Sequence, residues 1–389
     1  MIYYLRKNDF KNYVVFTLIA TLISVYSVYV VTTKFGKVAF SNFAFYSILT
    51  SIFFTVSDLG FKISYFKIGK LNKKSDYKYL LLSKLIVVLF LFILFGFFYN
   101  DMIYLSLIFI LVGTSIFPSY FLQEYRLYTI IGFNNLIFRL LPILILFKLN
   151  SIVEFAIISG IVIIIFSSYL LIKLRIITFN NFIWRDFINY FKEVVITNRY
   201  LSAINIVSII EINIHTFLAK SLFSFNDFAD YIYLERYISY LKQGVIYFYD
   251  YLFPKVNLSN FNHYLKFTRL TYISYFVFLI LAQYLFNLYQ IKNIYGIKLS
   301  IFFYVYCLYP FSSIVFNFLI NILFFKYCSD KYSFNIIFAS IFVKFILIIY
   351  LSPFLGIATI PSVLILLEIV TGITRYYLMP LEIRKTLKF

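Results

Sequence analysis

Ile152-Val-Glu-Phe-Ala-Ile-Ile-Ser-Gly-Ile-Val-Ile-Ile-Ile-Phe-Ser-Ser-Tyr-Leu-Leu-Ile172 runs without a break into Lys173. The stretch is continuously apolar apart from Glu154, and about twenty residues is the length that crosses a hydrocarbon core as an α-helix. A strand of a membrane barrel would instead alternate apolar and polar residues over about ten positions. With no water to satisfy a peptide group in lipid, the remaining solution is a helix that bonds its own backbone.

The rest of the chain repeats this pattern. Of its 389 residues, 62% are hydrophobic, 23% aromatic and 13% charged, with a mean hydropathy of +0.89. A soluble domain carries about a quarter charged residues, so this composition excludes a water-facing globule. Disordered, coiled-coil, collagen-like and disulfide-scaffold classes are excluded with it. Twelve apolar segments are expected, at 14–32, 43–59, 80–98, 103–121, 129–147, 152–172, 201–219, 231–253, 270–288, 299–324, 334–351 and 354–375. The predicted fold is an all-α polytopic membrane protein in two six-helix lobes, residues 1–178 and 179–389. Arg6, Lys7 and Lys11 precede the first segment with no small-residue cleavage pattern, so it reads as an anchor helix. Cys307 and Cys328 fall at different membrane levels, and no disulfide is expected.

A net charge of +19 reads as membrane topology rather than nucleic-acid binding, because Lys and Arg gather in cytoplasmic loops. With the N-terminus inside, 25 of the 35 Lys and Arg fall on the cytoplasmic face. Six (Lys34, Lys37, Lys148, Lys220, Lys292 and Lys298) fall on the opposite face. Both termini are therefore expected in the cytoplasm. The widest hydrophilic stretches, near 62–84 and 175–199, are on the cytoplasmic side, and no exported loop is long. Asp58, with Lys62 one turn later, reads as a helix end shaped by an i,i+4 pair.

The halves repeat faintly. Phe40-Ser-Asn-Phe-Ala-Phe-Tyr46 opens the second helix and Phe225-Asn-Asp-Phe-Ala-Asp-Tyr231 the eighth; Pro118 matches Pro310, and Arg139 matches Lys344. The repeat axis is expected along the membrane normal.

Four cations, Arg139, Arg236, Lys242 and Lys344, fall inside predicted helices, where a charge costs at least about 2.5–3.5 kcal/mol. For Arg139 and Lys344 two readings stand: pairing or snorkelling, or facing an aqueous cavity, which mid-helix placement favours. Asn198, Ser202, Asn205, Ser208, Glu211 and His215 draw a polar stripe along the seventh helix. Glu235, Ser239 and Lys242 share a face of the eighth, and counting depth sets Glu211 and His215 opposite Glu235 and Arg236. That group is either a structural ion-pair cluster or a water-lined path with a titratable carboxylate. Phosphate-loop, His-Glu-x-x-His and metal-cluster motifs are absent, so no cofactor is expected beyond a coupling H+ or Na+.

Further features lie in Phe45-Tyr46 leading to Ser57-Asp-Leu-Gly60, in Phe121-Leu-Gln-Glu-Tyr-Arg126, in Phe253-Pro-Lys255, and in Gly356, Glu368 and Arg375. In these places the chain resembles Wzx-type O-antigen flippases, the polysaccharide-transport branch of the superfamily that also holds multidrug and toxic-compound extruders. The resemblance implies two six-helix lobes around a central cavity. It also implies alternating access and an undecaprenyl-pyrophosphate-linked oligosaccharide cargo, moved from the inner to the outer leaflet of a bacterial plasma membrane. Membrane lipids, a polysaccharide polymerase and chain-length machinery are the implied partners. Arg139, Arg236, Lys242 and Lys344 are then expected at the anionic headgroup, and Glu211, His215 and Glu235 in ion or proton coupling. The alternatives are an O-antigen polymerase, for which a long Arg-rich external loop is missing, and a drug or cation extruder of the same superfamily.

Overall fold

A computed structural model describes residues 9–58, 74–99, 101–124, 127–174, 183–197, 199–236, 239, 293–294, 297–298, 320, 323–324, 327–328 and 330–386. Within these residues the chain is almost wholly helical; the exception is an antiparallel pair of two-residue strands, Asn293–Ile294 with Ile297–Lys298. Helices long and apolar enough to cross a membrane cover Val15–Phe35, Lys37–Ser57, Lys78–Gly96, Tyr128–Leu146, Ile152–Lys173, Ser202–Leu222 and Lys331–Leu378. The last stretch holds two successive helices. The chain divides into two compact units, Met1–Ile209 and Ile210–Phe389.

In the first unit, α1 (Asp9–Phe35) and α2 (Lys37–Ser57) are joined by Gly36 alone. Gly36 has φ 85°, a left-handed conformation that glycine adopts without a Cβ penalty. Then follow α3 (Lys74–Gly96), α4 (Met102–Ser106), α5 (Ile108–Ile116), α6 (Ser119–Glu124), α7 (Tyr128–Leu146), α8 (Ile152–Lys173) and α9 (Trp184–Thr197). The start of α8 is fixed by its sequence. The Ser151 hydroxyl accepts from the Glu154 N–H at 3.2 Å, while the Glu154 carboxylate accepts from the Asn150 N–H at 2.8 Å. This reciprocal arrangement satisfies amide donors that the helix leaves open.

The fourth span differs from the continuous helix expected over 103–121. It is divided into α4, α5 and α6, with Phe117 extended at φ −66°, ψ 124°. The break at Phe117 is caused by Pro118, whose ring disfavours helical geometry at the residue before it. Two other boundaries also move. The eighth helix opens at residue 225, with its heptad and six residues ahead of the apolar segment that starts at 231. Phe354, placed at the start of the twelfth segment, belongs to the end of the eleventh helix, and the twelfth begins at Thr359. The ninth and tenth expected segments lie almost wholly outside the described residues.

Helix pairing follows small and polar residues, as expected where lipid removes the hydrophobic incentive for association. The helix α1 buries Tyr13, Thr17, Ala20, Ser24, Val28 and Val31 at steps of three and four residues, and turns Leu18, Leu22 and Tyr26 outward. The buried stripe lies parallel to α7. Tyr13 meets Tyr128 edge-on at 5.7 Å, Phe16 meets Phe133 at 5.7 Å, and Lys34 donates to the Leu146 and Phe147 carbonyls at 2.6 and 3.0 Å. Lys34 thereby caps the carbonyl end of α7, where the helix dipole favours a cation.

A second parallel pair, α5 with α8, is closer still. Ser167 on α8 donates to the Gly113 carbonyl at 3.1 Å. A Cβ at Gly160 would overlap the backbone of Phe109 and Ile110. Gly160→Ala should therefore destabilise the protein by about 1–3 kcal/mol, whereas the lipid-facing Ile161→Ala should cost under about 0.5 kcal/mol. Thermal unfolding of the detergent-solubilised chain measures both, and equal midpoints would refute the close crossing.

In the second unit α10 (Arg199–Leu222), whose first residues belong to the first unit, is followed by α11 (residues 225–236). Further along come α12 (Asp330–Leu355), α13 (Thr359–Leu378) and α14 (Leu381–Thr386). Leu218 of α10 packs with Ile348 of α12 and with Val363 and Leu367 of α13. In α12, Pro353 cannot donate to the Ile349 carbonyl; the Ser352 hydroxyl donates to it instead at 3.1 Å, the kind of repair that lets proline persist in membrane helices.

Candidate functional site

Most hydroxyls in these apolar helices are consumed locally. Thr21, Ser47, Ser115 and Ser159 each donate to the carbonyl four residues earlier, which removes the cost of burying them. Charged groups cannot be satisfied so cheaply, and they mark the places where two helices cooperate.

In the first unit Arg139 reaches from α7 to α1, where its guanidinium donates to the Ser24 hydroxyl at 2.5 Å. Ser24 spends its own proton on the Ala20 carbonyl at 2.7 Å, so its oxygen is oriented to accept. The side chain of Arg139 is half-buried, at mid-helix.

The matching place in the second unit holds an ion pair. Lys344 on α12 pairs with the Glu211 carboxylate on α10, and donates as well to the Glu211 backbone carbonyl at 2.5 Å. Ser340, one turn earlier, donates to the same carboxylate at 3.3 Å. The Lys344 side chain is 2% exposed and that of Glu211 25% exposed. The carboxylate is thus the accessible member of the pair. Two residues assigned to separate roles on sequence, headgroup binding and coupling, form one site.

One turn beyond Glu211, His215 is buried, with its ring edge-on to Tyr231 of α11 at 6.4 Å. Thr216 lies 3.5 Å from the same Tyr231 hydroxyl. Glu235 and Arg236 are half-buried in α11, and Ser239 donates to the Arg236 carbonyl at 3.0 Å. Lys242 lies outside the described residues, as do Cys307 and Pro310. In the two similar heptads the matched Ala44 and Ala229, and the matched Tyr46 and Tyr231, are all buried.

A further charged site was not anticipated. Asp58, at the end of α2, is paired with Lys84 of α3 at 2.5 Å, with side chains 5% and 4% exposed. Asp58 had been expected to pair with Lys62, which lies outside the described residues, and Lys84 had been counted among loop cations. The visible signal was spacing. Lys84 occupies the i, i+4 row of Leu80, Val88 and Phe92, all buried, and so belongs to the packed face of α3.

No family model matches this sequence. No curated protein matches it either. Solved structures do match in fold. A MATE protein in complex with MaD5 superposes with a TM-score of 0.60 at 12% identity, covering 97% of this chain and 96% of that one. The MATE transporter ClbM, in complex with Rb+, superposes with a TM-score of 0.50 at 13% identity, over 96% of this chain and 95% of that one. The chain therefore has the fold of MATE transporters.

Proposed function

We propose that the chain is a flippase for an undecaprenyl-pyrophosphate-linked oligosaccharide, an O-antigen or related surface-polysaccharide repeat unit. It moves this cargo from the inner to the outer leaflet of a bacterial inner membrane, with both termini in the cytoplasm. The observation that carries the reading is Arg139, a half-buried guanidinium at mid-helix, aimed by Ser24. A planar guanidinium binds phosphate oxygens through two parallel N–H bonds. A lipid-linked diphosphate also needs a polar route for its headgroup alone, since its tail stays in the bilayer. Arg236, Lys242 and Lys344 are the other cations assigned to this route. Glu211, with His215 and Glu235, is assigned to coupling by H+ or Na+, and the polymerase and chain-length machinery are the assigned partners.

A second reading, export of a cationic drug, draws on the accessible Glu211 carboxylate and on the MATE fold. Proteoliposomes separate the two. The flippase reading expects leaflet transfer of the lipid-linked sugar and no gradient-driven accumulation of a cationic dye. Arg139→Gln should lower that transfer by about tenfold to a hundredfold, the loss of a charge-assisted hydrogen bond of about 1.5–3 kcal/mol. The same variant should remain folded, because Ser24 keeps its bond to Ala20. Unimpaired transfer in this variant would reject the headgroup role of Arg139.

A further inference from the structure

The helix α9 (Trp184–Thr197) was not among the expected membrane segments, and its faces are unlike those of the described spanning helices. It follows α8 on the side where Lys173 ends that span. Its position is fixed by Tyr79, whose ring lies 6.2 Å from Phe187 and 5.9 Å from Tyr190. Tyr79 stands at the very start of the span Lys78–Gly96, so α9 sits at the level where the apolar part of α3 begins.

Around the helix the side chains fall into successive edges. Phe187 and Tyr190, three residues apart, face Tyr79, with Phe187 buried and Tyr190 half-buried. On the next edge, Trp184 and Ile188 are four apart and remain 63% and 49% exposed. Ile183, just before the helix, is exposed as well. Beside them, Arg185 and Lys192 are seven apart and both exposed. Asn189 and then Asp186 lie further round, Asp186 one turn before Tyr190. Ile196, in the last turn, is the one described apolar side chain among the polar edges. The order is protein, bare apolar edge, basic edge, then acidic and neutral edge.

We infer that α9 lies in the headgroup layer of the membrane, with Trp184 and Ile188 in the acyl boundary and Arg185 and Lys192 holding the phosphates of acidic phospholipids. A helix that keeps cations next to its exposed apolar edge, and Asp186, its described carboxylate, beyond them, is ordered as the interface itself is ordered. Apolar groups enter the acyl boundary, cations reach anionic phosphate, and acids face water. Tryptophan at such an edge is matched to the boundary, since its ring is apolar and its N–H polar. The Lys78 ammonium lies 4.8 Å from the centre of the Tyr79 ring on which α9 rests. The inference requires only that the chain spans a membrane and does not depend on what it carries.

Trp184 is the single tryptophan of the sequence, so its emission reports α9 in the intact, unlabelled protein. The full chain is reconstituted into vesicles with identical leaflets, of phosphatidylcholine with increasing phosphatidylglycerol. The expected result is blue-shifted emission, quenched by lipids brominated near the headgroup and poorly quenched by aqueous acrylamide. Brominated phosphatidylglycerol should quench more than brominated phosphatidylcholine at equal mole fraction. That preference should fall about 25-fold in R185Q/K192Q, about fivefold for each basic residue removed from an anionic surface. Emission quenched by acrylamide and untouched by brominated lipid would overturn the interfacial placement. Equal quenching by the two brominated lipids would overturn the acidic-headgroup assignment. The measurement involves no transport, so either failure is distinct from failure of the flippase reading.

Discussion

A Lys84→Met protein should lose about 3–5 kcal/mol of stability, because the substitution strands the buried Asp58 carboxylate inside the helix pair α2–α3. The two charges are 2.5 Å apart and almost fully covered, and the Lys84 ammonium also lies 5.4 Å from the centre of the Phe54 ring. Asp58→Leu alone should cost a similar amount by stranding the ammonium instead. The double variant, Asp58→Leu with Lys84→Met, should recover most of the loss, since an apolar pair of similar volume removes both desolvation costs. Thermal unfolding of the four proteins closes a double-mutant cycle. A double variant as unstable as the sum of the single ones would mean that the two side chains act separately, and would sink the assignment.

That pair also shows where the sequence was legible and where it was not. Continuous apolar runs such as 152–172 announced spanning helices to within a residue or two, because lipid allows a helix no other choice. Charge asymmetry could be read the same way, as a sum over loops. What sums cannot carry is partnership. Asp58 has a lysine four residues later in the chain, but its described partner is Lys84, 26 residues away on α3, and only packing brings the two together. Periodicity would have flagged Lys84, since it interrupts a buried row of Leu80, Val88 and Phe92. The break at Phe117 was also legible in principle, because Pro118 restrains its neighbour wherever it stands.

The matched cations Arg139 and Lys344 were visible as a repeat, but their environments were not. Each sits on α7 or α12, and each reaches the helix that runs parallel to its own within one unit, α1 or α10. In one unit the acceptor is a serine hydroxyl; in the other it is a carboxylate. At the two positions matched in sequence a cation is kept and what faces it differs, so the two units have different charge chemistry there. Helical spacing alone puts Ser24 and Glu211 on their stripes without saying which residue completes each site.

The second large effect is expected at Glu211 and Lys344, where stability and transport can be separated. Lys344→Met should destabilise the second unit by about 3–5 kcal/mol, because a carboxylate set among α10 and α12 loses its ammonium. Glu211→Gln should also cost stability, since Lys344 is the more deeply covered member and would keep its charge with a weaker acceptor. Joining the two substitutions removes both charges and should restore the unfolding midpoint to near that of the parent. Transport should not return to its original form. If protonation of Glu211, or cation binding to it, opens the pair and releases Lys344 during the cycle, the double variant has nothing left to titrate there. It should fold, insert and transfer lipid-linked sugar with a rate that no longer responds to pH or to the coupling cation. A stable double variant that keeps the parent's pH and ion dependence would assign the pair to structure alone and move coupling elsewhere.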